Sequence, residues 1–126
     1  MKLDIIRNDF SVCKIADINQ VDFSREFVFL SKTPDEISLT CETSHTPQNA
    51  TESEPGWKAL RVSGTLDFGL IGVVAKISNT LAGANISIFV ISTYNTDYIL
   101  IKEESFERAV RALTVNGFEI GQEQDM

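Results

Sequence analysis

The stretch Gly64–Lys102, GTLDFGLIGVVAKISNTLAGANISIFVISTYNTDYILIK, decides the fold. Five apolar residues recur in it at helical spacing: Leu70, Val73, Val74, Ile77 and Leu81. This stripe predicts a helix whose first turn is Leu70–Val73. Asp67 is placed to cap that helix or to sit just before its first turn, and Gly83 and Asn85 tolerate the left-handed conformation that ends one.

The residues after this helix predict a β-hairpin. Ile86–Thr93 is a β-branched and aromatic run that is too short for another helix, so we expect a buried strand. Tyr94–Asp97 has the composition of a turn, and Tyr98–Ile101 is the returning strand.

The flanking residues complete a known order of elements. Trp57–Ser63 is strand-like, and Glu104–Thr114 places apolar residues on one helical face. Phe118–Ile120 can form a last short strand. The order βαββαβ over about the last 65 residues predicts an α+β, ferredoxin-like unit.

This topology predicts where a functional site would lie. A right-handed crossover makes Trp57–Ser63 and Ile86–Thr93 run in the same direction, so the loops that follow them meet at one end of the sheet. The candidate ligand-binding residues at that end are Gly69, Leu70, Ile71, Gly72, Val73, Thr93, Tyr94 and Asp97.

The chemistry of these residues suits a zwitterion. The free N–H groups of a helix start suit a carboxylate, and Asp97 suits an ammonium or guanidinium group. Gly69 and Gly72 leave room for a ligand near the backbone. The plainer interpretation is that Asp97 only forms a turn and Gly72 only serves helix packing.

The first half of the chain predicts strands without helices. Strand-like runs occupy Leu3–Ile6, Phe10–Ile15, Phe27–Leu30 and Ile37–Cys41, with a possible break at Asn8–Asp9. Glu42–Gly56 is polar and predicts a linker or mobile loop. We therefore expect a degenerate unit over residues 1–56, with its linker at 42–56, and a complete unit over residues 57–126.

Composition excludes several classes of function. A net charge of −7 argues against nucleic acid, and no apolar run is long enough to span a membrane. The N-terminal residues lack the features of a signal peptide, which favours a cytoplasmic protein. The sole histidine, His45, cannot complete a catalytic or metal set, and we expect no enzyme activity, cofactor or metal. Cys13 and Cys41 are expected to be buried thiols rather than a bridge.

Three segments carry a family resemblance: GVVAKIS at Gly72–Ser78, ISTYNTDYILIKEE at Ile91–Glu104 and FLSKTPDEISLTCE at Phe29–Glu42. They resemble the ACT-domain family, and within it the small tandem-ACT proteins related to aspartokinase regulatory domains and the CASTOR arginine sensor. The resemblance implies two ACT-like units, the first degenerate, and amino-acid sensing without catalysis. It places ligand contacts at Gly72–Val74, Thr93, Tyr94 and Asp97.

One residue departs from the arginine-sensing pattern. Leu70 stands where the arginine sensors have an acidic side chain, and an apolar residue cannot neutralise a guanidinium group. A neutral or apolar amino acid, or no ligand, then fits better than arginine. Two alternatives stay open: a homodimerising association module, and an accessory subunit that docks an enzyme through Glu42–Gly56.

Overall fold

The computed structural model describes residues 1–64 and 71–122. The chain divides into two compact units. We call residues 1–7 and 58–126 the helical unit, and residues 8–57 the strand-rich unit. Two long strands, β1 (Lys2–Ile15) and β4 (Glu52–Val62), contribute residues to both.

The helical unit has the predicted ferredoxin-like order of elements. After β4 come α1 (Val73–Gly83), β5 (Phe89–Ser92), β6 (Asp97–Lys102), α2 (Glu103–Val115) and β7 (Glu119–Gln122). The strand order in this unit is β7-β1-β4-β6-β5, and β5 is antiparallel to β6. The predicted α+β fold class is confirmed.

The start of the chain supplies one strand of this sheet. The first residues of β1 pair with β7 in parallel, with Lys2 opposite Glu119 and Leu3 opposite Ile120. The Ser63 N–H donates to the Lys2 carbonyl over 2.9 Å. β1 runs unbroken to Ile15, so the possible break at Asn8–Asp9 does not occur. Pairing with residues far along the chain sustains the strand where local composition suggests a turn.

The core of the helical unit forms where both helices pack on the sheet. It comprises Leu3, Leu60, Val62, Ile77, Leu81, Ile86, Ile99, Ile101, Ala109, Leu113 and Phe118. Ile77 and Leu81 come from α1, and Ala109 and Leu113 from α2. Burying each large aliphatic side chain stabilises the fold by about 1.5–3 kcal/mol. The predicted apolar faces of the two helices are therefore the faces that build the core.

The first helix begins later than the sequence predicts. Gly72 is its cap residue and has φ 81°, a left-handed conformation that cannot lie inside a right-handed helix. The predicted first turn, Leu70–Val73, is therefore wrong, because α1 starts at Val73. Asn85, with φ 61°, follows the C-cap as expected. The predicted cap, Asp67, lies outside the described residues.

The strand-rich unit repeats this order with short turns in place of helices. Its strands are β1, β2 (Val28–Lys32), β3 (Ile37–Glu42) and β4, in the order β2-β3-β1-β4. A 3-10 turn at Ile18–Gln20 follows β1, and another at Thr43–His45 follows β3. Cys13 and Cys41 are buried and unbridged, as predicted, in a small core with Ile15 and Leu39.

The segment expected as a linker is only partly a loop. Glu42 belongs to β3, the second 3-10 turn follows it, and Glu52–Gly56 belong to β4. The Thr51 N–H donates to the Lys14 carbonyl over 2.8 Å. This pairing with β1 orders residues whose polar composition alone predicts a linker.

The two units contain hairpins of the same construction. β2–β3 and β5–β6 are antiparallel, with Leu30 opposite Leu39 in one and Val90 opposite Ile99 in the other. β3 and β6 share one pattern of burial, with three buried residues after two half-buried ones. Each hairpin closes with one N–H to carbonyl bond of 2.9 Å, Thr33 to Glu36 and Thr93 to Thr96.

Candidate functional site

The turn between β5 and β6 is held by the residues at its two ends. Both the N–H and the hydroxyl of Thr93 donate to the Thr96 carbonyl, each over 2.9 Å. The Thr96 N–H lies 3.4 Å from the Thr93 hydroxyl oxygen. Tyr94, at the tip, is 80% exposed. The turn is thus tightly closed and presents an aromatic side chain to solvent.

A buried hydroxyl attaches this turn to the neighbouring strand. Thr96 is only 7% exposed, and its Oγ1 donates to the carbonyl of Val62 over 2.8 Å. Val62 is the last residue of β4. The turn and the end of β4 therefore lie together, as the predicted topology requires.

Asp97 opens β6 directly after the turn and is half-buried. Its Oδ1 accepts a hydrogen bond from the Ser92 hydroxyl. Within residues 1–64 and 71–122, the structure gives this carboxylate no cation, so Oδ2 stays available to a donor. An ammonium group forms a charge-assisted hydrogen bond to a carboxylate, which is stronger than a bond between neutral groups.

The start of α1 provides backbone donors. Gly72 has no side chain with which to cap the helix, and the Lys76 N–H makes the first intrahelical bond, to the Gly72 carbonyl, over 2.9 Å. The N–H groups of Val73, Val74 and Ala75 precede that bond. Ile71, just before them, is 95% exposed. Such a helix start suits an anion beside an apolar group.

The structure places seven of the nine predicted site residues, and these lie in two segments. Thr93, Tyr94 and Asp97 share one hairpin, which lies against the end of β4. Val73 packs on the core cluster that contains Val62, while Ile71 is exposed. Gly69 and Leu70 lie outside the described residues. The proximity of Gly72–Val74 to the hairpin stays a prediction.

Sequence reasoning overlooked two polar residues of this hairpin. Ser92 binds the Asp97 carboxylate, and Thr96 binds the end of β4. Serine and threonine residues beside a turn often form local hydrogen bonds through their hydroxyl groups. That pattern could have indicated Ser92. The partner of Thr96 is 34 residues away, so no local pattern reveals it.

The described part of the chain contains no group of three or more histidine, cysteine, aspartate or glutamate side chains arranged to hold a metal ion. The sole histidine, His45, has its Nδ1 3.5 Å from Glu42 Oε2 in the strand-rich unit. Among the described residues, no helix is long and apolar enough to cross a membrane.

The fold and the hairpin correspond to a known class of regulatory domain. The family model described as the ACT domain matches residues 52–115, half of the chain, and includes α1 and the β5–β6 hairpin. The chain therefore belongs to the ACT domain family.

Relatives of known sequence or structure agree with this assignment. The human protein named cytosolic arginine sensor for mTORC1 subunit 1 is 38% identical over 58 residues, which cover 45% of this chain. The match spans only 18% of the sensor. A crystal structure from Agrobacterium tumefaciens has a TM-score of 0.86 at 26% identity, over 98% of this chain and 94% of that one.

The ligand-free regulatory subunit of aspartate kinase from Thermus thermophilus has the same fold. Its TM-score is 0.62 at 11% identity, over 90% of this chain and 95% of that one. This similarity relates the fold of the chain to aspartokinase regulatory domains.

Proposed function

We propose that this chain is a non-catalytic regulatory protein of the ACT type that binds a free amino acid. The observation that supports this proposal is the hydrogen bond from Thr96 to Val62. The bond holds the turn that precedes Asp97 against the end of β4, from which the chain continues toward α1. The proposed ligand contacts are Gly69, Leu70, Ile71, Gly72, Val73, Val74, Thr93, Tyr94 and Asp97.

The two charges of an amino acid would have separate partners in this site. The α-carboxylate would accept from the free N–H groups at the start of α1, where the helix dipole favours negative charge. The α-ammonium would donate to the Asp97 carboxylate. Hydrogen bonds to charged groups contribute about 1.5–3 kcal/mol each, so these two contacts would supply most of a modest affinity.

A neutral or apolar side chain fits this site better than arginine does. Leu70 provides no charge for a guanidinium group. Ile71 and Tyr94, which belong to the two binding segments, are exposed and offer apolar surface. The similarity to a protein named as an arginine sensor supports the amino-acid class, and these residues support a different member of it.

We also propose that the protein acts in the cytoplasm and without catalysis. The printed name of the human relative calls it cytosolic. The match to the ACT domain model, and the fold shared with a structure named as a regulatory subunit, support a regulatory role rather than a catalytic one.

A thermal-shift panel of the twenty common amino acids tests the proposal. A ligand at 100 times its dissociation constant stabilises the folded state by about 2.7 kcal/mol, which raises the melting temperature measurably. We expect one or a few neutral amino acids to shift the transition at millimolar concentration. If none of the twenty amino acids shifts the melting temperature, the proposal is wrong.

We propose in addition that the strand-rich unit is a degenerate second ACT-like unit. Its order of strands and 3-10 turns parallels that of the helical unit. Its hairpin closes with the same 2.9 Å bond. Ile37 occupies the position that Asp97 has in the other hairpin, opposite the last residue of the preceding strand. Because that carboxylate is missing, we expect one amino-acid site per chain.

The second candidate function is association into a homodimer, and strand β5 favours it. Among the described residues, β5 pairs only with β6. The run Ile86–Thr96 contains no charge, proline or glycine, whereas β2 ends at Lys32 and is followed by Pro34. An uncharged strand edge is free to pair with its own copy, and natural proteins usually protect such edges. Light scattering at several concentrations tests this function, which is compatible with ligand binding.

A further inference from the structure

We propose that Thr96 is a positioning residue for the amino-acid site, an inference that rests on the proposed function. Its buried hydroxyl would hold the hairpin that contains Asp97 at a fixed position relative to the end of β4. Thr96 itself would not contact the ligand, because its Oγ1 is already engaged by the Val62 carbonyl over 2.8 Å.

The strand-rich unit shows that such an anchor is not needed to form the turn. Its equivalent turn closes with the same bond length, from the Thr33 N–H to the Glu36 carbonyl. Glu36 occupies the position of Thr96 there and is exposed. The hairpin therefore forms without a buried hydroxyl, and the bond made by Thr96 serves another purpose.

The location of the bond indicates that purpose. It joins two backbone segments that precede the proposed binding groups, with Val62 before the connection to α1 and Thr96 immediately before Asp97. The buried Thr96 hydroxyl has one hydrogen-bond partner, the Val62 carbonyl. Because breaking this bond would leave a buried polar group unpaired, the bond fixes the distance between Thr96 and Val62. Thr96 would thus set the spacing between Asp97, the ammonium partner, and the end of β4.

Three variants separate positioning from general stability. Thr96→Val replaces the hydroxyl by a methyl group of similar size, and Thr96→Ser keeps the hydroxyl. Thr114→Val is the matched control, because the Thr114 hydroxyl also donates to a backbone carbonyl over 2.8 Å, that of Val110, but within α2.

The first measurement needs no ligand. Amide hydrogen exchange compares the Thr93 N–H, bonded to the Thr96 carbonyl, with the Lys76 N–H, bonded to Gly72 in α1. In Thr96→Val we expect exchange at Thr93 to accelerate about tenfold more than at Lys76. Thr96→Ser and Thr114→Val should leave that ratio near the wild-type value. Equal acceleration at both amides in Thr96→Val would show a loss of general stability and overturn the proposal.

The second measurement is the affinity of each folded variant for the amino acids that shift the wild type in the panel of twenty. Thr96→Val loses the contribution of one neutral hydrogen bond to the position of the hairpin. We therefore expect its dissociation constant to be about three- to tenfold higher. Thr96→Ser should restore the wild-type value. An unchanged affinity in Thr96→Val would overturn the positioning role while leaving the proposed function intact. A wild type that binds none of the twenty would remove both, whatever the exchange data show.

Discussion

Arg108, on the exposed side of α2, donates from Nη1 to the carbonyl oxygen of Ala84 over 2.6 Å. Ala84 is the C-cap residue of α1. The bond satisfies a carbonyl at a helix end and places a positive charge at the negative end of the helix dipole. One helix therefore caps the other, which helps to hold the pair together on the sheet.

Replacing Arg108 with methionine should lower the free energy of unfolding by about 0.5–1.5 kcal/mol, because the carbonyl loses a charged donor at an exposed site. Urea unfolding measures this change. Arg111→Met, at an exposed position of the same helix, is the control. Equal losses in both variants would contradict the capping role.

Cys41 predicts a decline of stability at alkaline pH. Burial, and secondarily the neighbouring Cys13, raises the pKa of the Cys41 thiol from 9.0 to about 11. Between these values the unfolded chain has lost the thiol proton and the folded chain keeps it, so stability falls as the pH rises through this interval. Below pH 9 the contribution is complete.

The comparison of wild type with Cys41→Ala isolates that effect from other alkaline titrations. We expect urea unfolding of the wild type to lose up to about 1.4 kcal/mol per pH unit more than the variant between pH 9 and 11. The variant should be less stable than wild type near pH 7, because it has a cavity. Parallel curves for the two proteins above pH 9 would rule out the raised thiol pKa.

Asp97→Asn should weaken amino-acid binding by about 1–3 kcal/mol, since the amide removes the charge that pairs with the ammonium group. The amide oxygen can still accept from Ser92, so the hairpin should keep its structure. Calorimetric titration gives the affinity. Asp35→Asn, in the turn of the other hairpin, is the matched control and should bind as the wild type does. A normal affinity in Asp97→Asn would exclude Asp97 from the site.

Val90→Lys should separate a dimer that pairs through β5. Because the Thr93 N–H bonds to Thr96, alternation along β5 directs the backbone groups of Val90 and Ser92 away from β6. A lysine there places like charges together when two copies pair. Light scattering should report monomers for this variant.

Ser31→Lys makes the same charge change on β2, the edge strand of the strand-rich unit, and should leave the dimer intact. Circular dichroism establishes that both variants fold. A wild type that is monomeric at all concentrations, or a Val90→Lys variant that stays dimeric, would exclude pairing through β5.

Local sequence predicts most of the regular elements of this fold and misses its long-range bonds. The prediction of a buried strand over Ile86–Thr93 is wrong in extent and burial, because β5 spans only Phe89–Ser92 and is half-buried. β6 and α2 follow from uninterrupted patterns, so their predicted and observed limits agree within about two residues. The predicted start of α1 is wrong because apolar spacing continues upstream of Gly72, whose left-handed backbone prevents the helix from beginning earlier. Pairing with β1 decides the strand at Glu52–Gly56, which composition alone assigns to a loop.

The candidate site shows the same limit. The residues of its hairpin follow from turn chemistry and topology, because Thr93, Tyr94 and Asp97 are close in sequence. The hydrogen bond that holds the hairpin in place joins Thr96 to Val62, which are 34 residues apart in the sequence. No pattern of residue spacing predicts a contact between residues so far apart. Ligand identity depends on side-chain geometry, which periodicity does not encode.

The central claim is that one free amino acid bridges the start of α1 and the β5–β6 turn. The most direct measurement is an NMR titration of the isotope-labelled protein with each of the twenty amino acids. We expect at least one neutral amino acid to shift the backbone amide signals of both Val73–Ala75 and Thr93–Asp97, with a single saturation curve for the two segments. Saturable shifts confined to one segment or to other residues, or no shifts with any amino acid, would contradict the claim.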